Sequence, residues 1–228
     1  LPLVLRTSYF VLTFIPMTNF VPIFPLGVVV YPGELLNLHI FEPQYKQLIQ
    51  ESYHAKKPFG IPVILHDKIS EMGTLVEISE MVQVYDDGKM DIRIKGLEVF
   101  RVLEIVHEIP DKLYSGAIVS YPANDVLRKT MIAKVLAGIR DLHRLLNVRK
   151  EFSKTDEQLT SYDVAHHAGL SLEEEYELLQ LLQELQRLEY LKRHLAKVLP
   201  VVSGMEKLKE RIQLNGHFRE LKGFDFDL

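Results

Sequence analysis

The chain has 228 residues, 47% of them hydrophobic and 25% charged, with a formal charge of -4. That length can bury a substantial core as one large domain or two lobes, and the acidic balance argues against a general polyanion binder while leaving room for a local basic face. The absence of cysteine excludes a disulfide framework, a thiolate nucleophile and cysteine-ligated zinc, which permits a reducing compartment; a cytoplasmic location is the expectation.

Residues Leu1 to Pro16 include the apolar run Tyr9 to Ile15, which is too short to span a bilayer and lacks a small-residue cleavage site behind it. Met17 is therefore the expected natural start, with 1–16 an extension; an edge strand or a membrane-touching tail is the other reading. From Pro22 to Pro43, four prolines and two glycines punctuate β-branched and aromatic residues, so the chain must turn repeatedly between buried stretches. Val28-Val29-Val30 is apolar on both faces and predicts a covered strand. Leu36, Leu38 and Ile40 alternate with Asn37, His39 and Phe41 as in a half-exposed strand. Pro43 suits a first helical turn, and Tyr45, Leu48, Ile49 and Tyr53 supply the apolar stripe of the helix that follows.

The segment from Phe59 to Tyr121 reads as β-rich. Val63-Ile64-Leu65 follows Pro62, and Val76, Ile78, Val82 and Val84 are predicted to face inward against Glu77, Ser79 and Gln83. Asp87-Gly88 has the chemistry of a tight hairpin turn, after which Ile92 and Ile94 resume the inward parity. Leu97 to Val106 and Tyr114 to Tyr121 are two further strands. The pattern then changes to a helical period through Leu127, Met131, Val135, Ile139, Leu142 and Leu146, with Asn124 as a candidate cap. A short helix over Ser161–His167 ends near Gly169. Ser171-x-x-Glu174 forms a capping box for a long leucine-rich helix that Pro200 is expected to end. Another short helix over Gly204–Gln213 stops at Asn215-Gly216.

Several of these segments carry a family pattern. Phe24-Pro25-Leu26, Tyr31-Pro32-Gly33, Leu36-x-Leu38-x-Ile40-Phe41-Glu42-Pro43 and Tyr45-Lys46 come first. Phe59-Gly60, Met72-Gly73-Thr74-Leu75-Val76-Glu77-Ile78, Asp87-Gly88-Lys89-Met90-Asp91-Ile92 and Gly96-Leu97 with Phe100-Arg101-Val102 follow in order. The series resembles the amino-terminal, substrate-binding domain of the Lon protease family, strongly over residues 20 to 121 and weakly beyond. The resemblance implies an α+β fold: a PUA-like, mostly antiparallel β pseudo-barrel with an early helix (17–122), then a helical lobe with a long amphipathic helix (123–216) and a tail (217–228). It also implies a stand-alone recognition module, because the family's ATPase and its serine–lysine protease domain are separate.

No catalytic residue, cofactor or metal is expected. The sequence has no Gly-x-x-x-x-Gly-Lys-Ser/Thr loop for nucleotide phosphates and no Gly-x-Ser-x-Gly elbow. His166 and His167 are adjacent, so on a helix they point about 100° apart rather than forming a zinc-binding i, i+4 pair; a surface or cap role is the reading. Glu173-Glu174-Glu175 reads as a solvated helix start and Asp86-Asp87 as a turn.

Two surfaces invite partners. Arg187, Lys192, Arg193, Lys197, Lys207, Lys209, Arg211, Arg219 and Lys222 give the carboxy-terminal part a basic tendency, read chiefly as a solvated helix face. The β lobe carries Phe41, Tyr45, Tyr85, Leu113 and Tyr114 as candidate polypeptide-binding residues. The expected function is non-catalytic recognition of unfolded or hydrophobic polypeptide segments by side-chain burial and strand addition, with a protease or chaperone as a further partner and no membrane association. RNA binding through the PUA-like barrel is the alternative, although nucleic acid is the less favoured partner. Self-association through Leu181, Leu185 and Leu188 of the helical lobe is a further reading.

Overall fold

The computed structural model describes residues 19–125 and 132–220. The expected extension Leu1–Pro16, the start at Met17, Leu127 and Met131 of the first long helix, and the tail from 221 onward lie outside the described residues. The first lobe runs β1 (Asn19–Pro22), β2 (Leu35–Ile40), α1 (Pro43–Ala55), β3 (Phe59–Leu65), β4 (Lys68–Val84), β5 (Met90–Val106) and β6 (Gly116–Ser120). These form a six-stranded antiparallel sheet in the order β1-β6-β5-β4-β3, with β2 beside the first half of β5. The sheet curls until the chain leaving β1 meets β3, where Ile23 bridges Gly60 and Leu26 bridges Val63 in parallel. The Phe24 N–H donates to the Gly60 carbonyl at 2.8 Å and Ile64 to Leu26 at 2.7 Å. Curling of a sheet onto a first strand in this way closes a core inside it, here Phe24, Val30, Ile40, Phe59, Ile61, Val76, Ile92 and Ile94, with Leu48 and Ile49 of α1 as the lid.

Three expectations for this lobe need correction. Val28–Val30 joins no strand ladder, and the chain bends at Val28; Val29 and Val30 are buried, whereas Val28 is exposed. In β4, register shifts between Ile78 and Glu80 and between Met81 and Gln83 insert extra residues. The first bulge reverses the alternation, so Met81 packs toward the core; Val82, expected inside, falls in the second bulge and is exposed, and Val84, also expected inside and opposite Met90, is exposed at the end of the strand. Gly96 does not separate two strands, because β5 runs unbroken through it.

The second lobe contains α2 (Ile132–Leu145), α3 (Ser161–Val164) running into a 3-10 turn (Ala165–His167), α4 (Leu172–Gln180) and α5 (Glu184–Glu220). Gly169, at φ +74, follows the 3-10 turn in the left-handed region that glycine tolerates best. Ser171 and Glu174 form the capping box of α4 as expected: the Ser171 hydroxyl accepts from the Glu174 N–H and the Glu174 carboxylate accepts from the Ser171 N–H. The Asn124 side-chain oxygen accepts from the Arg187 guanidinium at 2.9 Å; the helix start it was expected to cap lies outside the described residues.

The single leucine-rich helix expected from Ser171 to Pro200 is two helices. At Leu181–Gln183 the backbone turns to the linker: Asp125 N–H donates to Leu182 and Glu184 N–H to Asp125. The second helix then continues through Pro200 and Asn215-Gly216, both expected to end a helix, and takes in the short helix expected to begin separately at Gly204. A proline removes one donor, that for the Ala196 carbonyl, and helical turns on either side can carry the helix across that gap. Arg187 is no part of a solvated basic face; it is 0% exposed. Leu188 is buried in the chain's own core and is unavailable to a second copy, whereas Leu185 is exposed.

The lobes share a core in which Val29, Tyr31, Val63, Met72 and Val99 of the β lobe pack with Val135, Ile139, Tyr162, Leu178, Leu191 and other helical residues. The Tyr31 hydroxyl donates to the Glu175 carbonyl at 3.0 Å, and the Tyr176 hydroxyl accepts from the Met72 N–H at 3.1 Å. His166, expected to have only a surface or cap role, sits between the lobes. Its Nδ1 lies 2.6 Å from Glu175 and its Nε2 3.1 Å from Glu34. Burial disfavours the imidazolium, but the hydrogen-bonded carboxylates of Glu175 and Glu34 outweigh it and push the pKa up to about 9.

A raised imidazole pKa adds stability that is fully present below the unfolded value and is lost as pH rises through the folded one. The wild-type melting temperature should therefore fall between pH 6.5 and about 9, and the His166→Gln difference from wild type should shrink across the same window. A difference that stays constant over that range would show that the clamp is not titrating.

Candidate polypeptide-binding edge

β2 is held by a single strand neighbour. Its six residues pair with Lys95 to Met90 of β5 in unbroken register, and no backbone hydrogen bond from Leu35–Ile40 to any element other than β5 occurs among the described residues. The Gly96 N–H donates to the Glu34 carbonyl at 2.9 Å. Antiparallel pairs alternate between bonded and non-bonded residues, so Leu36, Leu38 and Ile40 bond to β5 while the N–H and C=O groups of Leu35, Asn37 and His39 point to the outer edge. The side chains follow the predicted alternation: Ile40 is buried, Leu36 and Leu38 are partly buried against the core, and Leu35, Asn37 and His39 are exposed. An open, regular strand edge beside half-covered leucines can take another strand, which would satisfy the outward backbone groups and finish covering Leu36 and Leu38.

The solvent face next to this edge is organised in rungs across β2, β5 and β4. Arg93 donates from Nε to the Asn37 side-chain oxygen at 3.0 Å and from Nη1 to Glu80 at 2.6 Å. In the next rung, Asp91 accepts from the Tyr85 hydroxyl at 2.6 Å and lies 2.6 Å from His39 Nδ1. Those bonds from Tyr85 and His39 hold the Asp91 carboxyl below the usual carboxylate range, and the same carboxylate raises the Tyr85 hydroxyl. The His39 ring is stacked near Phe41, with centroids 6.1 Å apart, and meets Tyr85 edge-on at 6.0 Å. Leu35 at 60% exposure and Phe41 at 57% mark the two ends of the strand with uncovered apolar side chains. Both oxygens of Asp91 are engaged within the trio, so the arrangement fixes Tyr85 and His39 as a platform.

Of the five residues singled out from sequence, Phe41 and Tyr85 meet at this platform. Tyr45 is elsewhere, on α1, its ring 4.0 Å from that of Phe24. Leu113 is exposed in the loop beside α1, where its N–H donates to Gln47 at 2.8 Å. Tyr114 is buried and donates to Glu51 at 2.6 Å. It lines a separate, mostly apolar cleft of about 460 Å³ between β1 and α1, with Phe20, Ser52, Ala55, Leu75 and Tyr121. Leu35, Asn37, His39 and Asp91 had no place among the sequence candidates. Their alternation was visible; that the strand lies at an edge was not, since edge and interior strands share the same period.

Among the described residues, no group of three or more histidine, aspartate or glutamate side chains is placed to hold a metal ion, and no helix is long and apolar enough to cross a membrane.

A curled antiparallel sheet with an early helix, fused through a common core to a helical lobe, is the architecture of amino-terminal domains of Lon proteases. The chain is similar to the Lon N-terminal domain protein from Xanthomonas campestris, at 28% identity over 76% of this chain and 96% of that one, with a TM-score of 0.58. It shares its fold with the N-terminal domain of the Mycobacterium avium complex Lon protease, at 14% identity over 78% of this chain and 98% of that one, with a TM-score of 0.60. The sequence gives no match among curated proteins. The family model of the ATP-dependent protease La (LON) substrate-binding domain matches residues 21–197, and the chain belongs to that family.

Proposed function

We propose that the protein binds extended, apolar polypeptide segments without reacting with them, by adding them as a strand to the outer edge of β2. The observation that carries this reading is the unbroken register of β2 against β5 with its opposite edge unpaired. Main-chain bonds from Leu35, Asn37 and His39 supply affinity that is indifferent to the bound sequence. Leu36, Leu38, Leu35 and Phe41 then favour apolar side chains at alternate positions of the guest. This is the chemistry that a substrate-binding domain requires when its clients share only exposed hydrophobic stretches, and it needs no cofactor. A protease or chaperone acting on the same clients is the partner this reading implies.

Two proline substitutions test it. Proline is tolerated on an edge strand where its missing N–H faces solvent and damages the sheet where that N–H was bonded. Asn37→Pro removes an outward donor and should leave folding nearly intact while weakening binding of a permanently unfolded polypeptide by about tenfold or more, the loss of one or two backbone bonds. Leu36→Pro removes a bond to β5 and should destabilise the fold itself. Unchanged affinity in Asn37→Pro would exclude strand addition at β2. Titrating salt separates the RNA alternative, because phosphate contacts weaken steeply with ionic strength and apolar strand capture does not.

A further inference from the structure

The carboxy-terminal half of α5 is a second, independent surface. Beyond Val202 no described side chain of this helix belongs to a core cluster. Three of its described apolar side chains face water instead: Val201 is 63% exposed, Met205 67% and Leu208 54%. With the partly buried Val198 they repeat at intervals of three and four residues, the spacing of a seam between two packed helices. In such a seam Val198 and Met205 take the first core position of the heptad and Val201 and Leu208 the second. The positions flanking it are then Lys197, Val202, Gly204, Lys209 and Arg211. Three of these are cations and none is an anion, while Glu206 and Glu210 lie off the seam; Lys209 reaches Glu206 only at 3.7 Å, on the exposed surface.

Flanking charges set partner choice in helix pairs. A second copy of this chain carries no acidic side chain at these margins, so in either orientation it would leave Lys197, Lys209 and Arg211 without an opposite charge. A helix with the same apolar repeat and acidic margins would neutralise them. We propose that Val201, Met205 and Leu208, bordered by Lys197, Lys209 and Arg211, are a docking surface for an acidic amphipathic helix of a partner protein.

The test uses the full chain and two synthetic helical peptides that share one leucine–isoleucine seam, one with glutamate margins and the other with lysine margins. Fluorescence anisotropy should show the acidic peptide bound at least about tenfold more tightly, with the advantage fading as salt rises. The triple variant K197E/K209E/R211E should invert the preference. Met205→Glu with Leu208→Glu should abolish binding of both peptides while circular dichroism shows an unchanged helix content. Equal or absent binding of the two peptides, or a preference that survives charge reversal, would overturn the proposal. So would sedimentation showing that the chain dimerises through this seam, with dimerisation lost in Met205→Glu. Asn37→Pro should leave peptide docking on α5 untouched, so failure of the β2 reading and failure of this one are separable.

Discussion

Replacing Arg187 with methionine is expected to cost about 3–5 kcal/mol of folding stability, the usual penalty for leaving one member of a buried ion pair alone. For a chain of this size that lowers the unfolding midpoint by on the order of 10 °C. The guanidinium is completely enclosed, and every edge of it is used. Nε donates to Ser161 Oγ at 2.8 Å, Nη1 to Asn124 Oδ1 and the Leu181 carbonyl, and Nη2 to the Asp125 carbonyl at 2.7 Å and to Glu184 at 2.9 Å. Its face lies 4.1 Å from the centroid of the Tyr162 ring. One side chain thus ties the linker after β6, the start of α3, the elbow after α4 and the first turn of α5. Methionine fills the volume but strands the Glu184 carboxylate, whose other contacts are the Ser161 N–H and hydroxyl. Adding Glu184→Gln to Arg187→Met should recover part of the loss, because the remaining group is then uncharged. Thermal unfolding of the two variants and wild type measures this; a drop under about 1 kcal/mol in the single variant would put the network among interactions of surface strength.

The second large effect is at Gly96. A methyl group there would come 2.2 Å from the Tyr31 carbonyl oxygen and 3.4 Å from Pro32 Cα, both backbone atoms. Gly96→Ala must therefore push the Tyr31–Glu34 turn off β5 instead of rotating a side chain aside, with an expected cost of about 3 kcal/mol, at the upper end of overpacking penalties. The displaced turn leads directly into β2, and its bonds Gly33 N–H to Gly96 and Gly96 N–H to Glu34 set the register of that strand. Gly96→Ala should thus loosen the binding edge as well as lower stability, seen as faster amide exchange along Leu36–Ile40. By contrast Gly27, where nothing lies within 4 Å of an added methyl, should accept alanine with no such penalty.

Much of the fold was legible because local pattern and tertiary demand agreed. The β2 alternation, the turn at Asp87-Gly88, the Ser171–Glu174 capping box and the ordered family motifs each appear where expected. The failures share a cause: a local signal was overridden by a contact distant in sequence. Val82 has the parity of a buried residue, but the bulges against β5 shift Met81 to the core face in its place and leave Val82 outside. Pro200 is an exception: it has the appearance of a helix stop, and the helical turns on either side carry α5 past it. Arg187 sits in a basic stretch, and only its meeting with Ser161, Asn124 and Asp125 takes it out of water. The binding edge was half legible for the same reason. Phe41 and Tyr85 stood out as surplus aromatics, but an unpaired strand edge is a property of the whole sheet and leaves no mark in the six residues that form it.

The most direct measurement is residue-resolved amide hydrogen exchange of the full chain with and without a saturating, permanently unfolded polypeptide. Strand addition at β2 requires the outward amides of Leu35, Asn37 and His39 to become protected on binding, with those of Leu36 and Leu38, already bonded to β5, changing much less. Binding that leaves the three outward amides as exposed as before, with protection arising at another surface, would contradict it.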